Sequence, residues 1–186
     1  MSQTNIVRPG LSVLTALTIA ILSSAAVAAD VHCDLTFDVI SGNTLGTVKP
    51  GERLKGRVEF TTTSSWQQDI ETLSYKSDGD IVVTHPSEGA VRAKVRVVHV
   101  VRTPYIADYI SIDAHLAEGN LGGETRYEDP MLITFYAPPV TLSTSDIPKT
   151  MADWSQLSKR RVFQVHTPDA MATFYGDFEN LGGGCR

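Results

Sequence analysis

The sequence predicts an all-β fold: an antiparallel β-sandwich of the jelly-roll or immunoglobulin-like kind, with about nine strands and one short helix, a β-barrel being the alternative. Three observations carry that expectation. Apolar and polar residues alternate with period two in one stretch after another, the spacing that sends successive side chains to opposite faces of a sheet. Clusters of Gly, Pro, Asn and Asp punctuate those stretches, as strands joined by turns require. Only one segment repeats its apolar residues at helical spacing.

The first strand is expected over residues 31–39, where Val31, Cys33, Leu35, Phe37 and Val39 share one face and His32, Asp34, Thr36 and Asp38 the other. A loop over 41–52 follows, marked by Asn43, Gly46, Pro50 and Gly51. The second strand, 54–61, sets Leu54, Gly56, Val58 and Phe60 against Lys55, Arg57, Glu59 and Thr61. Segments 71–76 and 81–84 flank Ser77-Asp78-Gly79-Asp80, and Asp-Gly between two β-prone runs predicts a hairpin turn there. The longest strand begins at Val91, and its inward series of Ala93, Val95 and Val97 slips to Val98 and Val100, which predicts a bulge. A strand over 106–116 is expected to point Ile106, Ile110, Ile112, Ala114 and Leu116 inward. Further strands are expected over 131–137, where Pro138-Pro139 ends the pairing, and over 161–166 and 170–178. The helical segment is 148–158: Thr150 stands three residues before Asp153, a weak capping box, and Met151, Trp154 and Leu157 share a face. A short helix closing an open end of the sheets is the expectation.

Residues 1–29 read as a signal peptide, with Arg8, an apolar run over 11–22 and small residues over 23–29 that include Ala26-Val27-Ala28. The run of about 12 residues is short of the roughly 20 that a spanning helix needs. Cleavage after Ala28 or Ala29 leaves 30–186 as a single domain with no transmembrane segment. Cys33 follows Asp30-Val31-His32, which is unlike a lipoprotein site. With 16 Lys+Arg against 21 Asp+Glu the net charge is −5, which argues against nucleic acid or anionic lipid as the main partner.

Only two cysteines are present, Cys33 and Cys185. In an oxidising compartment they are expected to form a disulfide that ties both ends of the domain. Such a bond is easiest if the first and last strands run antiparallel side by side. Neither a Cys-x-x-Cys spacing nor a nearby histidine cluster supports a redox or metal pair.

The stretch "LTFDVISGNTLGTVKPGERLKGRVEFTT", and the later "LSTSDIPKTMADWSQLSKRRVFQV" followed by "ATFYGDFENL", are similar to the opening and the ending of a broad group of secreted proteobacterial β-sandwich proteins. Many of that group carry a C-terminal PEP-CTERM sorting tail. No apolar helix with a basic end precedes Arg186, so anchoring by such a tail is not implied. The resemblance implies a β-sandwich exported from a Gram-negative cell, to the periplasm or the medium. It transfers no site residues.

Three sets of residues could carry chemistry. Among the histidines at 32, 85, 99, 115 and 166, none has a metal-ligand spacing, but His99, Asp113 and His115 fall in strands that can be neighbours and form the alternative metal or hydrolytic cluster. No Gly-x-Ser-x-Gly occurs, which leaves a Ser/His/Asp set assembled from separate strands open. Asp78 and Asp80 lack the remaining ligands of a calcium loop. Arg92, Lys94 and Arg96 line one face of the long strand, either as a solvated face that discourages edge pairing or as an anion or partner face, extended by Arg102. Trp66, Tyr105, Tyr109, Tyr127 and Tyr136 place aromatics near loops and strand ends, suited to stacking a sugar or a peptide. No cofactor is expected. These features predict an exported, non-catalytic binding or envelope module whose partner is another envelope protein or a glycan. The alternatives are a periplasmic hydrolase or metal-dependent enzyme, and a subunit of a periplasmic or surface assembly.

Overall fold

Residues 30–168 and 173–186 are described in the computed structural model; the expected signal peptide, 1–29, and the start of the last expected strand, 170–172, lie outside the described residues. The alternating stretches form β1 (His32–Ser41), β2 (Arg53–Gln67), β3 (Thr72–His85), β4 (Gly89–Val101) and β5 (Asp108–Gly119). They continue as β6 (Glu128–Ala137), the helix α1 (Met151–Gln156), β7 (Arg160–His166) and β8 (Thr173–Cys185). Each strand pairs antiparallel with the next, and β8 returns to β1. The fold is therefore all-β and antiparallel with one short helix, and of the two predicted architectures it is the barrel that forms.

Eight strands appear where the turn signals suggest nine, because Asp78-Gly79 is not a hairpin. β3 runs straight through it, with Gly79 facing Phe60 on β2 and Val95 on β4 and a shift in register between Lys76 and Gly79. A Cβ at Gly79 would lie 2.0 Å from the Glu59 carbonyl oxygen. The glycine thus serves a close approach of strands at a bulge, the other use of Gly inside a β-run. The bulge read at Val97–Val98 is present: β4 shifts register against β5 between Val95 and Val97, and its buried series passes from Val91, Ala93 and Val95 to Val98 and Val100.

Inward faces fill the barrel, as eight strands allow. Phe178 packs against Phe37 and Phe135 at ring-centroid distances of 4.7 and 5.1 Å, and Phe135 meets Trp154 of α1 at 4.8 Å. The outward face is charged, the reverse of the apolar band that a lipid-facing barrel presents. Arg57 holds Asp34 with two bonds of 2.8 and 2.9 Å, Lys55 meets Asp38 at 2.6 Å and Arg160 meets Asp177 at 3.1 Å.

Both ends are closed, by different means. Cys33 and Cys185 stand opposite each other on β1 and β8 and are bonded, with Cα atoms 4.0 Å apart. Their 152-residue separation makes the entropic stabilisation roughly 5 kcal/mol at most. Over the same end lies α1, capped as expected: the Thr150 side chain accepts from the Asp153 amide at 3.2 Å. Trp154 plugs the barrel, fully buried, with Nε1 donating to the Pro148 carbonyl at 2.8 Å and lying 3.3 Å from Cys185 Sγ. At the opposite end the 42–52 and 120–127 loops bury Leu45, Val48 and Leu121. No helix among the described residues is long and apolar enough to cross a membrane, and that fact and the disulfide are compatible with an extracellular or periplasmic protein.

Candidate functional site

Three loops at the disulfide end hold apolar side chains out in water. Ile70 in the β2–β3 loop is 97% exposed, Tyr105 and Ile106 in the β4–β5 loop 90% and 77%, and Val140 in the β6–α1 loop 74%. The expected inward strand position of Ile106 is thus corrected: β5 starts only at Asp108, and its buried series is Ile110, Ile112 and Ala114, with Leu116 also exposed. Exposed apolar tips are informative when they cluster and when the backbone beneath them is fixed.

Here each loop is braced by side-chain hydrogen bonds, the first two by residues of their own and the third by Arg102 and Asp108. The Glu71 and Thr72 amides both donate to Asp69 Oδ1 at 2.8 Å, and Gln67 Nε2 donates to the Asp69 and Thr72 carbonyls. The bonds from Glu71 and Thr72 hold the Asp69 carboxyl below its ordinary value of 3.8, the Glu71 amide contributing most. Thr103 Oγ1 spans the next loop, accepting from the Ala107 amide at 2.9 Å and donating to the Ala107 carbonyl at 2.7 Å. In the third, Val140 adopts φ 62°, which a β-branched residue rarely does, while the following Leu142 is clamped from both sides. Its amide donates to Asp108 Oδ2 at 2.7 Å and its carbonyl accepts from Arg102 Nε at 3.0 Å.

Between the loops lies a cleft of about 410 Å³, bordered by Ile70, Glu71, Arg102, Asp108, Val140 and Ser145. Asp108 is 1% exposed, and its Oδ1 is the buried side-chain oxygen left without a hydrogen-bond partner among the described residues. An unpartnered buried acceptor costs on the order of 1–3 kcal/mol, more when charged, so the wall of the cleft at Asp108 encloses an unmet demand for a donor.

The sequence-predicted residues lie elsewhere. His99 and Asp113 do meet, on the outer wall of β4 and β5, with Nε2 3.6 Å from Oδ2. His115 turns instead to Asp129, Nδ1 to Oδ2 being 3.5 Å. Among the described residues no three His, Cys, Asp or Glu side chains are placed to hold a metal ion. A serine joins the pair: Ser74 Oγ lies 2.8 Å from His99 Nδ1, and Ser111 Oγ donates to Asp113 Oδ1 at 2.6 Å. Burial pushes the Asp113 carboxyl up, but the bonds from His99 and Ser111 outweigh it and hold the group below 3.8.

This Ser/His/Asp set is shaped for structure. Ser74 is fully buried between strands, with its Oγ bonded to Gln68 Oε1 at 2.9 Å as well as to His99, so it is closed to a substrate. A nucleophile must be reachable and needs donors for an oxyanion, whereas the strand amides around Ser74 and His99 are committed to the β3–β4 ladder. The cationic stripe is largely neutralised across strands: Arg92 pairs with Glu118 and Lys94 with Asp80, each at 2.8 Å, leaving Arg96 without a carboxylate among the described residues. Its expected guarding of a sheet edge does not arise, since a closed barrel has none. Arg102 leaves the stripe for the cleft. Of the aromatics, Tyr105 tops its loop, Tyr109 and Tyr136 pair at 5.6 Å, and Tyr127 is tied to Leu121 and Glu124.

Sequence reading missed Ile70, Val140 and Asp108. The available signal was weak: Ile70 sits alone between Asp69 and Glu71, outside any alternation, and Val140 follows Pro138-Pro139. Comparison with family models, curated proteins and solved structures finds no match for the chain.

Proposed function

We propose that this protein is an exported, non-catalytic binding module of the cell envelope that holds a protein partner on the disulfide end of its barrel. The observation that carries this reading is the set of three braced loops with exposed apolar tips around one cleft. Loops on a rigid scaffold are where binding residues concentrate, and bracing them beforehand lowers the entropy lost on association. Export to the periplasm or medium of a Gram-negative cell is supported by the 1–29 leader, the disulfide and the resemblance to secreted proteobacterial proteins. Against hydrolysis stands the burial of Ser74, the serine of the Ser74/His99/Asp113 set among the described residues.

The test is to purify the protein with whatever it holds in its own periplasm, identify the companion by mass spectrometry, and reconstitute the purified pair. Ile70→Ser with Ile106→Ser is expected to weaken that pair at least about tenfold, because fully burying each side chain contributes about 1.5–3 kcal/mol. Arg92→Ser with Arg96→Ser, on the wall, is expected to leave it unchanged. The reverse pattern would move the binding face to the stripe.

A further inference from the structure

Resting on that reading of the disulfide end, we infer that the cleft recognises a cationic side chain, lysine or arginine, carried between apolar residues of a polypeptide partner, with Asp108 Oδ1 as its acceptor. Three independent features converge on this chemistry. The first is the acceptor itself: Oδ1 is enclosed and unpartnered, while Oδ2 is spent on the Leu142 amide, so the carboxylate is already oriented and has one valence open. A charged donor meets that need better than a neutral one, since charge-assisted hydrogen bonds are roughly twice as strong.

The second feature is the field around the cleft. Glu71 borders it with Asp108, and Asp69 braces the adjoining loop. The neighbouring Tyr109 hydroxyl is pushed up by its burial and further by Tyr136 and the charges of Asp69, Asp113 and Glu71; at Tyr75, bonded to the Ser145 carbonyl at 3.0 Å, burial and Asp146 raise the hydroxyl to about 12. Arg102 is the cation at the cleft, and its Nε is engaged by the Leu142 carbonyl. The balance is negative, which favours a cationic occupant and disfavours an anionic membrane surface, although apolar tips alone would suit either.

The third feature is the rim. Ile70 and Val140 border the cleft and Tyr105 and Ile106 rise from the loop next to it, so a cationic stem entering the cleft would be flanked by apolar contacts. Long cationic side chains bury their methylene stems in such surroundings while the head reaches a carboxylate.

The probes are n-pentylamine, for a lysine stem, and n-pentanol, its uncharged counterpart, followed by amide chemical shifts. The amine is expected to move resonances of the 68–72, 102–108 and 140–145 segments and to bind about tenfold more tightly than the alcohol. Asp108→Asn, which keeps an acceptor for the Leu142 amide, is expected to erase that preference, and Glu71→Gln to reduce it by a smaller factor. Unfolding curves of both variants check that the barrel is intact. Equal binding of amine and alcohol would overturn the cation assignment and leave the apolar binding face standing. Absence of any shift in the three loops would overturn the cleft as a site, without touching the rim tested by the reconstituted pair. Binding to phosphatidylglycerol vesicles, or a dimer abolished by Ile106→Ser, would overturn the separate partner protein in favour of a membrane or of a second copy of this chain.

Discussion

The two ends of the barrel are built on opposite plans. At the end away from the disulfide, loops are tied to one another through backbone: the Thr47 amide donates to the Gly122 carbonyl at 2.9 Å, and the Gly122 amide to the Glu88 carbonyl at 2.7 Å. Gly122, at φ 63°, has no room for a Cβ, which would lie 2.0 Å from the Leu45 carbonyl oxygen. That contact pulls Leu45, Val48 and Leu121 into the core. At the disulfide end closure is shared by Cys33–Cys185, Trp154 and the buried Leu142 and Ile147, and the loops are held chiefly through side chains, those of Asp69, Thr103, Asp108 and Arg102. The tips Ile70, Ile106 and Val140 stand outside these buried contacts and face outward. Closure and exposure fall to different residues, even within the β6–α1 loop, where Leu142 and Ile147 are buried and Val140 is not, and a surface can be shaped for a partner only at the residues the core does not need.

The sharpest way to break this contrast is to remove the bond that substitutes for loop packing. Cys33→Ser with Cys185→Ser is expected to lower unfolding stability by up to about 5 kcal/mol, read from urea denaturation. The loss should loosen the disulfide end first, so exchange of the His32 and Arg186 amides, which bond to each other's carbonyls at 3.0 and 2.9 Å, should accelerate before that of Thr47. Simultaneous acceleration at both ends would mean that the two closures are not independent.

The sequence already contained this pairing. Two cysteines in a chain whose leader predicts export point to each other, and their bond asks for adjacent antiparallel first and last strands. It also contained a conflict: nine up-and-down strands would leave the first and last parallel, whereas the even count that forms makes them antiparallel. Alternation of the Leu35, Phe37, Val39 kind cannot choose between a sandwich and a barrel, because one face is buried in both; closure is decided by long-range register. Gly79 misled because a turn and a bulge use glycine for the same backbone freedom. The site was less legible than the fold. Asp108 is of a type that is seldom buried, and the exposure of Ile106 is set by Thr103 and Ala107 bonding across it, a local geometry that hydrophobicity does not encode.

A smaller effect sharpens the comparison by matching like with like. Leu45→Ala at the sealed end is expected to cost about 2–4 kcal/mol, the range for a fully buried large-to-small change. Ile106→Ala at the presenting end should stay within about 0.5 kcal/mol, as exposed positions do. Thermal or urea unfolding of the two variants decides the matter: comparable losses would show that the Ile106 loop packs on the core and is not held out for a partner.

The smallest effect concerns a carboxylate at the presenting end, and its sign follows from charge. Asp69 accepts the Glu71 and Thr72 amides, and a carboxylate is a stronger acceptor than the neutral acid, so the folded group titrates below its ordinary 3.8. The brace is therefore fully present above that value and is lost as pH falls through the lower folded value. Amide resonances of Glu71 and Thr72 should titrate together with a midpoint below 3.8, and Asp69→Ala should abolish the transition while leaving the barrel folded. If the Ile70 tip is held in place by this brace, the same variant weakens partner binding at neutral pH without changing the tip itself. A midpoint at or above 3.8 would mean that the loop is not ordered by Asp69, and the preorganised rim would lose one of its three supports.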